Sequence, residues 1–233
     1  MYYGFYGPYP MLMIASILLS FYASGKVNSN YRKYARIYNK TGLSGFQVAR
    51  KILDANGLYD VQIEMQRGVM TDHYDPSKRV VRLSQAVYND ASVASASIAA
   101  HEIGHAIQHQ QGYGLLKFRT AIAIPVGFAS NASWICIMLG IMMSFVGGQI
   151  SGTLIDLGII MFALVVLFHL VTLPVELDAS RRALVQMESN GLLLQDEIPG
   201  AKKMLKAAAF TYLAALAASL VQMLRLLALR RDD

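Results

Sequence analysis

Four stretches of this chain are apolar almost throughout, and polar stretches separate them. Residues 10–24, rich in Met, Ile and Leu, reach membrane length when Tyr9 and Val27 bracket them. Residues 120–146 form a second run, interrupted by Asn131. Residues 152–173 form a third, with Asp156 near its start and His169 near its end. The link Gly147 to Gly152 carries no charge, as a helical hairpin in a membrane requires. Residues 207–229, after Pro199, form a fourth run that contains Gln222 and Arg225 and ends in Arg230-Arg231.

The polar stretches carry different periods. Residues 29–40 predict a basic amphipathic helix. Ser44-Gly45-Phe46-Gln47 is a capping box, and Gly57 closes the helix it opens. Val61 to Met65 alternates apolar and polar as a strand does, and Val80 to Leu83 is a second short strand. Between them, Thr71 to Pro76 has the residues of a turn-rich loop, in which His73 is expected to bond Asp72 or Asp75. Ala91 to Gln110 predicts one helix, capped by Asp90 or Ser92 and followed by Gly112. A further helix is expected to start after Pro174, at the end of the third apolar run. The pattern predicts an α+β chain that is mostly α. It divides into an anchor (1–26), a main polar part (27–118), a helical hairpin (119–173), a second polar part (174–206) and a last spanning or interfacial helix (207–233).

Composition supports the membrane. Of 233 residues, 55 % are hydrophobic and 15 % charged, against about 25 % charged in an average soluble domain. Lys26, Arg32, Lys33 and Arg36 follow the first apolar run, the reverse of a cleaved secretory signal. The positive-inside rule then puts the N-terminus outside and both polar parts in the cytoplasm. The net charge of +6 is explained by a lipid surface, since no nucleic-acid motif accompanies it. The single cysteine, Cys136, excludes an internal disulfide and is expected to pack as a small hydrophobe.

The chemistry is concentrated in His101-Glu102-Ile103-Gly104-His105. On a helix, positions i and i+4 share one face, so His101 and His105 can aim at one point. Two imidazoles at that spacing suit zinc. Glu102, about 100° around the helix, flanks the metal and is placed to take a proton from a water bound there. A metzincin would carry a third His at position 111, where this chain has Gln111. His109 is therefore read as a polar core or helix-end residue. A catalytic zinc needs a third protein ligand. Glu176 and Asp178 lie about 200° apart on a helix, so both cannot face one ion. Both carboxylates also suit a helix N-terminus, and Asp178 has Arg182 at i+4. Glu188, Asp196 and Glu197 lie further along.

Three motifs, Thr71 to Pro76, Ala100 to Gln108 and Leu173 to Ser180, together resemble the YugP-type membrane zinc metallopeptidases, over nearly the whole chain. That family is similar in plan to the HtpX-like membrane proteases. The resemblance implies a zincin-like, gluzincin-type domain combined with about four transmembrane helices in the cell membrane. It implies Zn2+ held by His101, His105 and Glu176, Glu102 as general base, and an active site facing the cytoplasm. It also implies peptide or protein substrates, membrane proteins among them. The HtpX-like pattern has an Asp four residues after the zinc-binding Glu; here Ser180 holds that place and Asp178 comes at plus two. Tyr74 and the Arg181–Arg182 pair are candidates for stabilising an oxyanion. Two alternatives are an intramembrane protease of the site-2 type and a non-catalytic, zinc-containing membrane scaffold. Asn89, Asp90 and the Gln-rich end of the zinc helix speak against the first.

Overall fold

A computed structural model describes residues 9–147 and 150–231. Gly148 and Gln149 of the expected hairpin link lie outside the described residues, as do the first eight residues and the last two. The elements, in order, are α1 (Tyr9–Tyr34), α2 (Gly45–Ala55), β1 (Gln62–Gln66), β2 (His73–Asp75), β3 (Val80–Ser84), α3 (Gln85–Asn89), α4 (Val93–Gln110), α5 (Gly114–Phe145), α6 (Ser151–Ser189) and α7 (Ile198–Arg231). Among the described residues, α1, α5, α6 and α7 are long and apolar enough to cross a membrane. The chain divides into two compact units. One holds the residues up to Tyr22, Lys117–Leu173 and the residues from Tyr212 onward. The other holds Ala23–Leu116 and Pro174–Thr211.

The second unit is organised around α4. Fourteen of its eighteen residues are buried, so it is covered on nearly every side. Its Ala, Ser and Gly residues allow that closeness, and Val93, Ala96, Ala99, Ala100, Ile103 and Ile107 enter the core. Ser92 caps it, its side chain accepting from the backbone N–H of Ser95, and Gly112 turns the chain away at φ +66°. Around it lie Val48, Ile52 and Leu53 of α2, Val81 and Leu83 of β3, and Ala183 and Met187 of α6. The capping box of α2 forms as its residues predict, Ser44 and Gln47 each bonding the other's backbone N–H.

The sheet has the order β1-β3-β2, with β3 parallel to β1 and antiparallel to β2. The two strands foreseen are β1 and β3; the turn-rich loop conceals a third. His73–Asp75 pairs with β3 because Asp72 anchors its start. Its carboxylate accepts from both the backbone N–H and the hydroxyl of Ser84, at 2.7 and 3.1 Å. His73 does not bond an aspartate. Asp72 is taken by Ser84 and Asp75 by Arg82, so His73 Nδ1 bonds the Thr71 carbonyl instead.

Two other expectations are corrected. The basic helix foreseen at 29–40 is the end of α1 and stops at Tyr34. Beyond it the backbone leaves the helix to pair with the approach to α4: Asn39 N–H donates to the Ala91 carbonyl and Val93 N–H to the Ile37 carbonyl. The helix expected to begin after Pro174 is instead the continuation of α6, with Pro174 inside it. An interior proline costs about 3 kcal/mol or more. Val175, Ala179, Ala183 and Met187 are completely buried just beyond it. Burying a Val or Met side chain contributes about 1.5–3 kcal/mol each, enough to carry the helix across the proline.

In the first unit, α5 and α6 meet through small residues. A Cβ on Gly140 would lie 2.6 Å from Ile155 Cγ1, and one on Gly158 2.5 Å from Ile137 Cγ1. The hydroxyl of Ser133 donates to the Gly158 carbonyl and that of Ser151 to the Gly140 carbonyl, at 2.8 and 2.9 Å. Such contacts are how apolar helices associate without a hydrophobic driving force. Asp156, near the start of the third apolar run, accepts from Nε and Nη2 of Arg230 at 2.6 and 3.1 Å. The end of α7 therefore lies beside the first turns of α6, and one of its terminal arginines is charge-paired. Ile124, Phe128 and Met138 are widely exposed on α5, as side chains facing lipid are.

Gly45 opens α2 where a Cβ would lie 2.1 Å from the Val87 carbonyl oxygen. The helix propensity gained by Gly45→Ala, at most about 1 kcal/mol, is outweighed by overpacking against backbone, about 1–3 kcal/mol. Gly45→Ala should melt below wild type in detergent. Gly25→Ala in α1, where nothing lies within 4 Å of a new Cβ, should melt at or above it. Equal midpoints for the two would show that α2 can move away from Val87 freely.

Candidate metal centre

The candidate site lies where α4 crosses the part of α6 beyond Pro174. His101 and His105 are one turn apart on α4, and Glu176 reaches them from α6. Glu176 Oε2 lies 3.1 Å from His101 Nε2 and 3.5 Å from His105 Nε2. The two rings stand nearly perpendicular, at 83°. Among the described residues this is the group of three His and Glu side chains whose ligand atoms converge, all within 4.8 Å of one another. Glu188, Asp196 and Glu197 are not in it: Asp196 pairs with Lys40, while Glu197 accepts from the backbone N–H groups of Lys40 and Leu194. His169 and His109 are not in it either.

The residues fit zinc. An ion with ligands at about 2.0–2.1 Å in a tetrahedron separates those ligands by about 3.3 Å. The two nitrogen–oxygen distances straddle that value. Two imidazoles and a carboxylate are one of the donor sets of a zinc that keeps a fourth position open. The Glu176 side chain is only 2 % exposed, and a carboxylate so deeply buried needs a cation or strong donors beside it.

Each histidine turns its other nitrogen to a partner. His101 Nδ1 lies 3.2 Å from Ser180 Oγ, and His105 Nδ1 lies 3.0 Å from Gln108 Oε1. Outer contacts of this kind orient a ligating ring. Sequence reading missed both Gln108 and Ser180 as partners. The signals were present: Gln108 is three residues past His105, an amide in a run of Ala, Ile and Gly, and Ser180 is one turn past Glu176.

Glu102 is buried, 8 % exposed. Burial pushes its carboxyl up to about 7; the carboxylates of Glu176 and Asp72 add to the rise, while His101 and the backbone N–H of Tyr74 oppose it. A base with an affinity near neutral suits proton transfer at neutral pH.

Other expected residues have defined places. Glu176 and Asp178 are in the interior of α6, so neither serves a helix N-terminus. Asp178 bonds Arg182 as its spacing predicts, and also Arg181 and Gln108. Both arginines are thus held on Asp178. The hydroxyl of Tyr74 bonds His109 Nδ1 at 2.8 Å, which accounts for that histidine as a helix-end residue.

The sequence profile of a family described as "Putative neutral zinc metallopeptidase" matches residues 9–231. The chain is 48 % identical over 216 residues to the "Putative membrane protease YugP" of Bacillus subtilis (strain 168), covering 92 % of each chain. No solved structure matches it.

The convergence depends on how closely α4 approaches α6. A Cβ on Gly104 would lie 2.5 Å from the Ala179 carbonyl oxygen. Gly104→Ala should therefore push apart the two helices that carry the ligands and weaken zinc binding by on the order of tenfold, the low end of losses from disturbed outer support. Competition with a chromogenic chelator measures it. Wild-type affinity would show that Gly104 does not set the spacing.

Proposed function

The chain belongs to the neutral zinc metallopeptidase family, and from that membership we propose that it is a membrane-embedded, zinc-dependent endopeptidase. The observation that carries this reading is the approach of one Glu176 carboxylate oxygen to the Nε2 atoms of both His101 and His105, at 3.1 and 3.5 Å, with a buried carboxyl, Glu102, directly after the first histidine. His101, His105 and Glu176 would hold the metal. Bound there, zinc would lower the pKa of a water and polarise a peptide carbonyl.

Glu102 would take the proton from the attacking water and deliver it to the leaving amine. Its raised proton affinity favours both halves of that transfer at neutral pH. β2 is an edge strand of the sheet, and Tyr74 in it interacts with Glu102 through its backbone. An extended peptide could add to that edge and lie along the site. Substrates would be peptides or proteins, membrane proteins among them. The basic residues after the first apolar run, Lys26, Arg32, Lys33 and Arg36, would place the site on the cytoplasmic side. The motif helix α4 is not among the four candidate spans, which disfavours an intramembrane protease of the site-2 type.

Glu102→Gln should keep zinc and lose hydrolysis by about 10²–10⁴-fold, since the amide retains size but takes no proton. Casein or a quenched peptide reports turnover, and metal analysis reports zinc. Activity within a few-fold of wild type would remove Glu102 from the base role.

A companion comparison tests the ligand set. Glu176→Gln should both empty the site and abolish turnover. Asp178→Asn, one contact removed from the metal, should retain zinc with about 10–100-fold weaker affinity or activity. Zinc retained in Glu176→Gln and lost in Asp178→Asn would reverse the assignment.

A further inference from the structure

The hydrogen bonds of Gln108 are all of determined polarity. Its Nε2 donates to the Val175 carbonyl and to Asp178 Oδ2, each at 2.9 Å. Its Oε1 lies 3.0 Å from His105 Nδ1. The side chain is completely buried, so no solvent competes for these contacts. Turning the amide over would set Oε1 against two acceptors, a carbonyl and a carboxylate, and so give up two donated bonds to regain at most one, to His105 Nδ1. The amide is therefore held one way round. An amide oxygen only accepts, so His105 must carry its ring proton on Nδ1. A cation taking the place of a proton between His105 and Glu176 would then meet the lone pair of His105 on Nε2, the atom facing the carboxylate.

Asp178 sets this orientation from one step further away. It is itself fixed by Arg181 and Arg182, and Arg182 also donates to Gln111 Oε1 just past the end of α4. The arginines balance its charge, so a neutral amide, not a carboxylate, meets the histidine. Val175 supplies the carbonyl of the peptide bond that leads into Glu176. Gln108 thus bonds one candidate ligand directly and the backbone of another. The partner of His101 differs in kind: the Ser180 hydroxyl can donate or accept, so it imposes no tautomer.

We propose that Gln108 is a positioning residue that fixes His105 as an Nε2 ligand, and that Asp178 acts on the metal only through it. This rests on the zinc reading of the site. It also gives Asp178, two residues after Glu176, a role distinct from that of a ligand.

The test uses the full-length protein in detergent, labelled with ¹⁵N-histidine. Long-range ring correlations in the zinc-free wild type should show His105 protonated on Nδ1. With zinc added, Nε2 should shift as the bound atom. An Nε2–H tautomer, or zinc on Nδ1, overturns the proposal without any variant having to fold.

Zinc affinities of Gln108→Met, Asp178→Ala and the double variant then test the relay. Gln108→Met keeps the length and loses the amide, and should weaken zinc by about 10–100-fold while relaxing the His105 tautomer. Adding Asp178→Ala to Gln108→Met should change affinity by no more than about twofold, because coupled residues are not additive. Wild-type affinity in Gln108→Met, or losses that multiply in full, overturn the proposal. Failure of the wild type to take up zinc would overturn the reading of the site instead, while the tautomer of the zinc-free protein still decides the role of Gln108.

Discussion

The close approach of two helix backbones is the constraint from which the site follows. Gly104 lets α4 lie against the Ala179 carbonyl of α6, where even a methyl group would be 2.5 Å from oxygen. At that distance short side chains suffice to join the helices. His101 and His105 reach Glu176 in one direction, Ser180 returns to His101, and Gln108 returns to Val175 and Asp178. Every one of these contacts would lengthen together if the helices separated. The glycine inside the motif is therefore a packing requirement of the candidate metal centre.

The surrounding core serves that approach. α4 is covered by α2, the sheet and α6, with Ile52, Leu53, Leu83, Ile103 and Met187 filling the interior. Polar groups enter this core only where each has a partner. The carboxylate of Asp72 is bonded at both oxygens by Ser84, Gln108 is bonded at both ends of its amide, and Ser92 caps the helix. Glu102 accepts from the backbone N–H of Tyr74, yet burial, with the carboxylates of Glu176 and Asp72, still raises its proton affinity to about 7, a perturbation of the kind that clusters at functional sites.

The apolar unit follows different physics. Its helices associate through Gly140, Gly158, Ser133 and Ser151, small residues whose backbones come close and whose hydroxyls bond across the contact. The large side chains face outward. The Asp156–Arg230 pair accounts for an arginine at the end of the last apolar run that the distribution of charge alone leaves awkward.

What the sequence by itself determined is what depends on neighbours within about four residues. The pairing of His101 with His105, the capping box of α2, the caps of α4 and the four apolar runs are all of this kind, since helix geometry places i and i+4 together whatever else the chain does. The family resemblance reached further, to Glu176, through a motif that local geometry could not choose over Asp178. The tertiary structure decided the rest. Glu176 and His101 are 75 residues apart, and only the crossing of α4 and α6 brings them together. β2 exists because Asp72 meets Ser84 twelve residues later, and α6 continues through Pro174 because residues beyond it are buried by other elements. Gln108 reads as one more polar residue on a helix until Val175 and Asp178 arrive from α6 and dictate which end of its amide faces His105. Contacts of that range follow from packing in three dimensions, and no local period along the chain records them.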